Sequence, residues 1–327
     1  MWYGIGFFGH PEVSVGFITL LYAEKTLKRL RYEIIPYGRE SVRRLSLMKI
    51  SAGYLKEITS ETKRNGVDVK EENVKPISDH VPQHTKPLTD EQFGHYLAGL
   101  IDGDGHFSKI GQLIIVFSSP DAFLAYYIKS RLGFGTVRKI KDKNAYVFII
   151  SSKAGMLKIS RLINGKLRSE PKFKQIQGIL NHKPEIFTEN FTINKSTDFQ
   201  NHWLAGFTDA DGSFQVKKVQ RSTRRSPEIR VNFQIDQKCN DLLLIIKGFL
   251  GGNIGYRKTQ DTYYYGSTSF GSARNVIKYF DNFHLQSKKH LSYLRWRKVY
   301  ILIQKREHLT EKGLLKISRI KDIINKH

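Results

Sequence analysis

The chain has 327 residues, 40% of them hydrophobic and 12% aromatic, enough for one large or two medium domains with real cores. It carries 54 Lys and Arg against 30 Asp and Glu, a formal charge of +24 spread along the whole length. Such an excess points to a polyanionic partner, nucleic acid or an anionic membrane surface, met by a folded basic face rather than a basic tail. The lone cysteine, Cys239, excludes an internal disulfide framework and a cysteine-based zinc site, and the histidines form no HExxH core.

Residues 1–88 read as an extension. Its apolar start, MWYGIGFFGHPEVSVGFITLLY, is broken by His10, Pro11 and Glu12, and it lacks the basic region and cleavage site of a signal peptide. No membrane span and no membrane partner are expected. The stretch ETKRNGVDVKEENVKPISDHVPQHTKP is polar, proline-bearing and aperiodic, the composition of a linker.

From Thr89 the texture changes. A helix is predicted from the capping-box pair Thr89 and Gln92 to the sequence Asp102-Gly103-Asp104-Gly105. Strands follow at 106–110 and 112–118, then a helix over 120–130. A second hairpin pairs 136–140 with 145–152, and one or two closing helices run through 167–180.

The same order then recurs. HYLAGLIDGDGHF (95–107) and HWLAGFTDADGSF (202–214) share His, Leu, Ala, Gly, Asp, Asp, Gly and Phe in register. The second copy predicts a helix capped by Thr197 and Gln200, strands at 213–219 and 229–237, and a helix over 240–248. A hairpin of 254–258 with 262–270 and closing helices through 285–296 complete it. Its KKVQRSTRRSPEIRV stretch predicts an elongated hairpin arm. The expectation is an α+β fold of two pseudo-two-fold-related αββαββα repeats, residues 89–190 and 191–327.

Gly99 and Gly103 lie four residues apart on one helical face, as do Gly206 and Ala210. Small residues at that spacing let a second helix backbone come close, and the natural partner of one bare face is the other. Leu97, Leu100 and Ile101, or Leu204 and Phe207, then serve each repeat's own core. Side-by-side packing brings the Asp-x-Asp-Gly ends together. Two close carboxylates need a cation, and hard oxygen donors with open positions suit Mg²⁺. By position Asp104 and Asp211 are the ligands, whereas Asp102 and Asp209, further inside, bond backbone groups at the helix end. A lone Asp-Gly is an ordinary turn; two matched copies in a chain of charge +24 are not.

LAGLIDGDG (97–105) and LAGFTDADG (204–212) resemble the two signature motifs of single-chain LAGLIDADG homing endonucleases, a resemblance that covers about residues 89–327. It implies a monomer whose two antiparallel sheets form a saddle in the DNA major groove. It also implies Mg²⁺-dependent cleavage of both strands across the minor groove, leaving cohesive ends. By motif position Asp104 and Asp211 match the metal-binding catalytic acids, and the carbonyls of Gly103 and Ala210 match backbone metal ligands. The family's lysine near the start of the final helix resembles Lys174 and Lys288, with Lys172 and Lys289 as neighbours the alignment does not separate. The family's glutamine ending the second strand resembles Gln237. The first repeat departs there, near Phe117 or Ser118, which implies unequal half-sites with one strand cut faster.

Alternate strand residues are expected to face DNA. In the first repeat these are Lys109, Gln112, Arg138, Lys139 and Lys141. In the second they are Lys217, Lys218, Gln220, Arg224, Arg225, Arg230, Arg257 and Lys258. Arg and Gln read base edges while Lys more often meets phosphate. FFGHPEV (7–13) resembles a stretch of cytochrome oxidase subunit I, which implies an intron reading frame continuous with an upstream exon, and a mitochondrial location. The leading reading is thus an intron-encoded DNA endonuclease. The second, an RNA maturase that binds a group I intron, belongs to the same family, and one protein can do both; maturase activity alone leaves the retained acids unexplained. A basic RNA-binding protein without catalysis accounts for the charge but not for the paired motifs.

Overall fold

The computed structural model describes residues 75–187, 190–220 and 227–324. FFGHPEV, Arg224 and Arg225 lie outside them. Helix α1, Asp90–Asp104, starts where the sequence placed it: Thr89 Oγ1 accepts from Gln92 N at 3.2 Å, and the Gln92 side chain accepts from Thr89 N at 3.4 Å. Asp90 and Glu91 favour the positive end of the helix dipole. The chain then turns without a loop into β1, Gly105–Phe107, paired to β2, Leu113–Ser118. After α2, Ala122–Leu132, come β3, Thr136–Lys139, and β4, Ala145–Ile150. Two closing helices follow, α3, Lys153–Ile163, and α4, Glu170–Leu180.

The second repeat runs α5, Trp203–Asp211, β5, Gly212–Val219, β6, Glu228–Gln237, and α6, Asp241–Leu250. It continues with β7, Asn253–Arg257, β8, Thr262–Gly266, α7, Phe270–Asn282, and α8, Lys289–Gln304. A last helix, α9, Glu311–Ile324, has no counterpart among the described residues of the first repeat. The two sheets have matching antiparallel orders, β1-β2-β4-β3 and β5-β6-β8-β7. Both repeats belong to one compact unit that begins at Lys75.

Two details differ from expectation, the length of β1 and the start of α5, and one long arm agrees with it. Strand β1 is shorter than predicted because a tight turn, with Gly111 at φ +81°, takes Ser108 to Gln112. The β5–β6 hairpin is the longer arm, as its sequence predicted. Thr197 caps nothing: α5 begins only at Trp203, because Asp198 and Asn201 accept from the backbone N–H groups of Gln200 and Trp203 and hold residues 197–202 in non-helical turns.

Helices α1 and α5 lie backbone to backbone at the centre. A β-carbon built on Gly99 would stand 1.9 Å from the Trp203 carbonyl oxygen, and one built on Gly206 would stand 1.9 Å from that of Tyr96. A helix apolar on every side is a buried one, and Tyr96, Leu97, Trp203, Leu204 and Phe207 all lie in the core.

Each motif helix is led in by an extended strap that docks on the other repeat's loop. Before α1, Ile77 exchanges two hydrogen bonds of 2.9 Å with the Gln304 side chain. Arg297, buried and paired to Asp281, donates to the carbonyls of Ser78 and His80. Thr85 N donates to His284 Nδ1, and Gln286 Nε2 donates to Thr85 O. Before α5, Thr192 O accepts from Gly165 N, and Asn194 N donates to Leu167 O. There Arg168 donates to the carbonyls of Ser196 and Asp198.

Gly206→Ala is expected to lower stability by about 1–3 kcal/mol or more, the usual scale of overpacking, because the obstacle is backbone. Gly178→Ala, in α4 with nothing within 4 Å, is the control and should gain about 0.5–1 kcal/mol. Thermal unfolding of the two variants checks this contrast. Burial pushes His202 and His290 down to about 4 from the ordinary 6.5. Both rings bind protons less readily folded than unfolded, so their contribution to stability is whole above pH 6.5 and falls as the pH drops towards 4. A His290→Gln variant should show a flatter loss of melting temperature across that window; an unchanged slope would refute the assignment.

Candidate active site at the paired helix ends

The four motif aspartates divide into two pairs. Asp102 and Asp209 are 4% and 8% exposed. Asp102 accepts from Arg168 N at 2.7 Å, Ser169 N at 3.1 Å and the Trp203 indole at 2.8 Å. Asp209 accepts from Gln286 N at 2.7 Å, Ser287 Oγ at 2.6 Å and the Tyr96 hydroxyl at 2.7 Å. Each carboxylate therefore fixes the loop that leads into its own repeat's last core helix, α4 or α8, rather than its own helix end. Each also takes one ring donor from the opposite motif helix. Burial raises both, Asp102 to about 7, against the lowering effect of these hydrogen bonds.

Asp104 and Asp211, at the outer end, are half-buried. Gln237 Nε2 donates to Asp211 Oδ2 at 2.8 Å. A β-carbon on Gly103 would lie 3.0 Å from that same oxygen and 2.3 Å from Ala210 Cβ, so the bare residue leaves space for the opposite carboxylate. Lys289 Nζ donates to the carbonyls of Thr208 at 3.1 Å and Ala210 at 2.8 Å. Burial lowers its pKa, while the charges of Asp104, Asp209, Asp211 and Asp121 raise it. In the first repeat Lys172 Nζ donates to Gly105 O.

The lysines at the motif ends are thus Lys172 and Lys289, not Lys174 and Lys288. Near a helix start each residue turns about 100°, so a shift of one or two positions re-aims the side chain. Lys174 is exposed on α4, and the Lys288 backbone N–H donates to Asp121 at 2.8 Å, bridging the repeats. Strand register fixes the other asymmetry. Gly105 pairs with Ile115 as Gly212 pairs with Ile235, which sets Phe117 opposite Gln237 in the comparison. Phe117 is buried and apolar, so the first repeat has no amide there.

Of the proposed DNA contacts, Arg138, Lys217, Arg230 and Arg257 lie on the sheet faces turned away from the helices, as does Gln112 by extension of β2. Lys139 and Lys218 pair with Tyr146 and Ile229 on the opposite parity and point to the helix side. Lys109, Lys141, Gln220 and Lys258 sit in the connecting turns. Asn232, Gln234 and Asp236 were missed on the open face of β6. Counting by two from the core residues Phe233 and Ile235 would have found them.

The family profile described as LAGLIDADG endonuclease matches residues 204–300. An uncharacterized cox1 intron-2 37.2 kDa protein of Schizosaccharomyces pombe is 51% identical over 319 residues, 93% of this chain and 97% of that one. The intron-encoded DNA endonuclease aI3 of Saccharomyces cerevisiae is 29% identical over 275 residues, 68% of this chain and 66% of its own length. The intron-encoded RNA maturase bI4 of the same yeast is 26% identical over 190 residues, 57% of this chain and 28% of its own length. Among solved structures, the meganuclease I-SmaMI bound to uncleavable DNA superposes with a TM-score of 0.57 at 22% identity, covering 70% of this chain and 97% of that one. With the duplicated motif, the matching sheets and the cox1 intron relative, the chain belongs to the LAGLIDADG endonuclease family.

Removing the Tyr96 hydroxyl strips one donor from a buried carboxylate, so Tyr96→Phe should destabilise the fold by about 1–3 kcal/mol. Denaturant melts measure it. A loss no larger than that of Tyr256→Phe, an exposed hydroxyl on Asp261, would mean that the cross-repeat bond carries no weight.

Proposed function

We propose that this chain is an intron-encoded, site-specific homing DNA endonuclease that cuts both strands of a long target in the intronless form of its host gene. The observation that carries the reading is the convergence of Asp104 and Asp211 on one seam beside the Lys289 ammonium. Two carboxylates with the carbonyls of Gly103 and Ala210 make a hard-oxygen donor set, which fits Mg²⁺ better than a softer ion. Two features support that fit. Ala210 O already accepts from a cationic group, and Gly103 leaves the seam open beside Asp211. Asp104, Asp211 and those carbonyls would hold Mg²⁺, which when bound supplies Lewis-acid stabilisation of charge on phosphate oxygens.

The protein's own groups do the positioning. Gln237 fixes the orientation of the Asp211 carboxylate. Lys289 and Lys172 hold positive charge against the motif ends, where charge builds on the phosphate in the transition state. The lack of an amide at Phe117 supports unequal half-sites, the second repeat's strand being cut faster. Arg138, Lys217, Arg230 and Arg257 face the duplex, and the turn lysines Lys109, Lys141 and Lys258 meet phosphates. Two motifs in one chain make a monomer sufficient. The cox1 intron relative supports a mitochondrial location. The chain divides into an extension, 1–88, and two half-domains, 89–190 and 191–327, with residues 75–88 forming a strap on the second.

A second reading, a group I intron maturase, is favoured by the +24 charge and the likeness to bI4. Purified protein with Mg²⁺ and a duplex spanning the intronless exon junction separates the two. Asp104→Asn and Asp211→Asn should each slow cutting by at least about 10²-fold while the duplex stays bound, and binding should weaken steeply with salt. An uncut junction, with intron RNA bound equally well by Asp104→Asn and its parent, would give the function to the maturase.

A further inference from the structure

The two open sheet faces can be compared residue by residue. Ile115 and Ile235 occupy matching places, each opposite its motif glycine, and Phe148 and Tyr265 match on the neighbouring strands. All four are fully buried against the helices. Their strand neighbours therefore lie on the open faces. In the first repeat these are Ile114 and Val116 on β2 with Val147 and Ile149 on β4. In the second, the matching places hold Gln234 and Asp236 on β6 with Tyr264 and Gly266 on β8.

The chemistry of the two faces is opposed. On the second, Gln234 Nε2 donates to Asp236 Oδ2 at 2.9 Å, Arg257 pairs with Asp236, and Asn232 reaches Gln234 at 3.4 Å. That is a ladder of donors and acceptors. On the first, Ile114, Val116 and Ile149 are half-buried aliphatics beside the buried Val147, and the described core helices pack against the other face. An antiparallel sheet with one solvated side normally alternates apolar-in and polar-out. This one carries aliphatics at its centre on both sides, with Arg138 beside Val147 and His106 beside Ile114 on the open face. A basic chain that lays aliphatic groups beside an arginine suits a polyanion whose interior offers apolar contacts. The major groove does so through the thymine methyl group, while Asn and Gln pair with adenine and Asp accepts from cytosine.

We infer that the two repeats read their half-sites by different chemistry: the first sheet recognises thymine methyl groups through Ile114, Val116 and Ile149, and the second recognises base-edge donors and acceptors through Gln234, Asp236 and Asn232. This rests on the nuclease reading above. The first half-site is accordingly rich in thymine on the strand edges under β2 and β4, and the second tolerates any base that keeps its hydrogen-bonding pattern.

The test uses the full chain and a library of randomised duplexes. Retained duplexes give a consensus, and iron-chelate cleavage from Asn144→Cys in a Cys239→Ser background shows which half lies under the first sheet. Thymidine is then replaced by deoxyuridine, one half at a time, with the unaltered protein. Each methyl lost under the first sheet should weaken binding about fourfold, the worth of one buried carbon, and losses under the second should leave it unchanged. Val116→Asn should abolish the penalty at its own position. Equal penalties in both halves, no penalty in either, or a first half-site without thymine overturns the inference and leaves the nuclease reading standing. Failure to enrich any duplex sequence overturns the nuclease reading and the inference with it.

Discussion

Everything else in the molecule depends on one contact, the approach of two helix backbones at Gly99 and Gly206 to a distance that no β-carbon survives. The residues that face these glycines do a second task. Trp203 presents its carbonyl to Gly99 and its indole N–H to Asp102; Tyr96 presents its carbonyl to Gly206 and its hydroxyl to Asp209. Closeness and polar satisfaction are thus set by the same pair of residues. Neither aspartate gains its third donor until the helices are in contact.

That arrangement explains why each helix ends in two carboxylates rather than one. Residues two apart on a helix point about 200° away from each other. Asp102 and Asp209 turn inward and fix the loops that aim Lys172 and Lys289. Asp104 and Asp211 turn to the seam. The inner pair is structural and sealed from water, the outer pair is open, and the spacing Asp-x-Asp divides the work. The pseudo-symmetry stops at the chemistry: Gln237 faces Phe117 in the comparison, and the β2 and β6 open faces share no residue type at the matching places compared above.

Much of this was legible in the sequence, for physical reasons. Repetition exposes the two halves without any structural knowledge, and the capping box at Thr89 marks a helix start because its hydrogen bonds are local. The long β5–β6 arm is visible as a longer run between the same landmarks. What was not legible is what depends on distant partners or on phase. Thr197 carries the same capping pattern as Thr89, but Asp198 and Asn201 capture the neighbouring N–H groups first. The lysine choice turned on a rotation of about 100° at a helix start that alignment cannot resolve. The strap before α1 is held by Gln304 and Arg297, more than 200 residues away, and such polar contacts leave no periodic trace.

The straps also bear on the order in which the chain can be built. A protein made from its N-terminus can in general complete its first domain while the second is still being synthesised. Here the lead-in to the first repeat finds its partners in His284, Gln286, Arg297 and Gln304, near the far end of the second. The Asp209 carboxylate waits on Tyr96 from the first repeat and on Gln286 from the second. The nascent first half therefore exposes its glycine face until α5 has emerged, and carries an unanchored strap until almost the whole polypeptide has. Contacts of such sequence separation are slow to close. Two repeats in one chain spare two subunits the need to find each other, and that single chain must postpone its own completion.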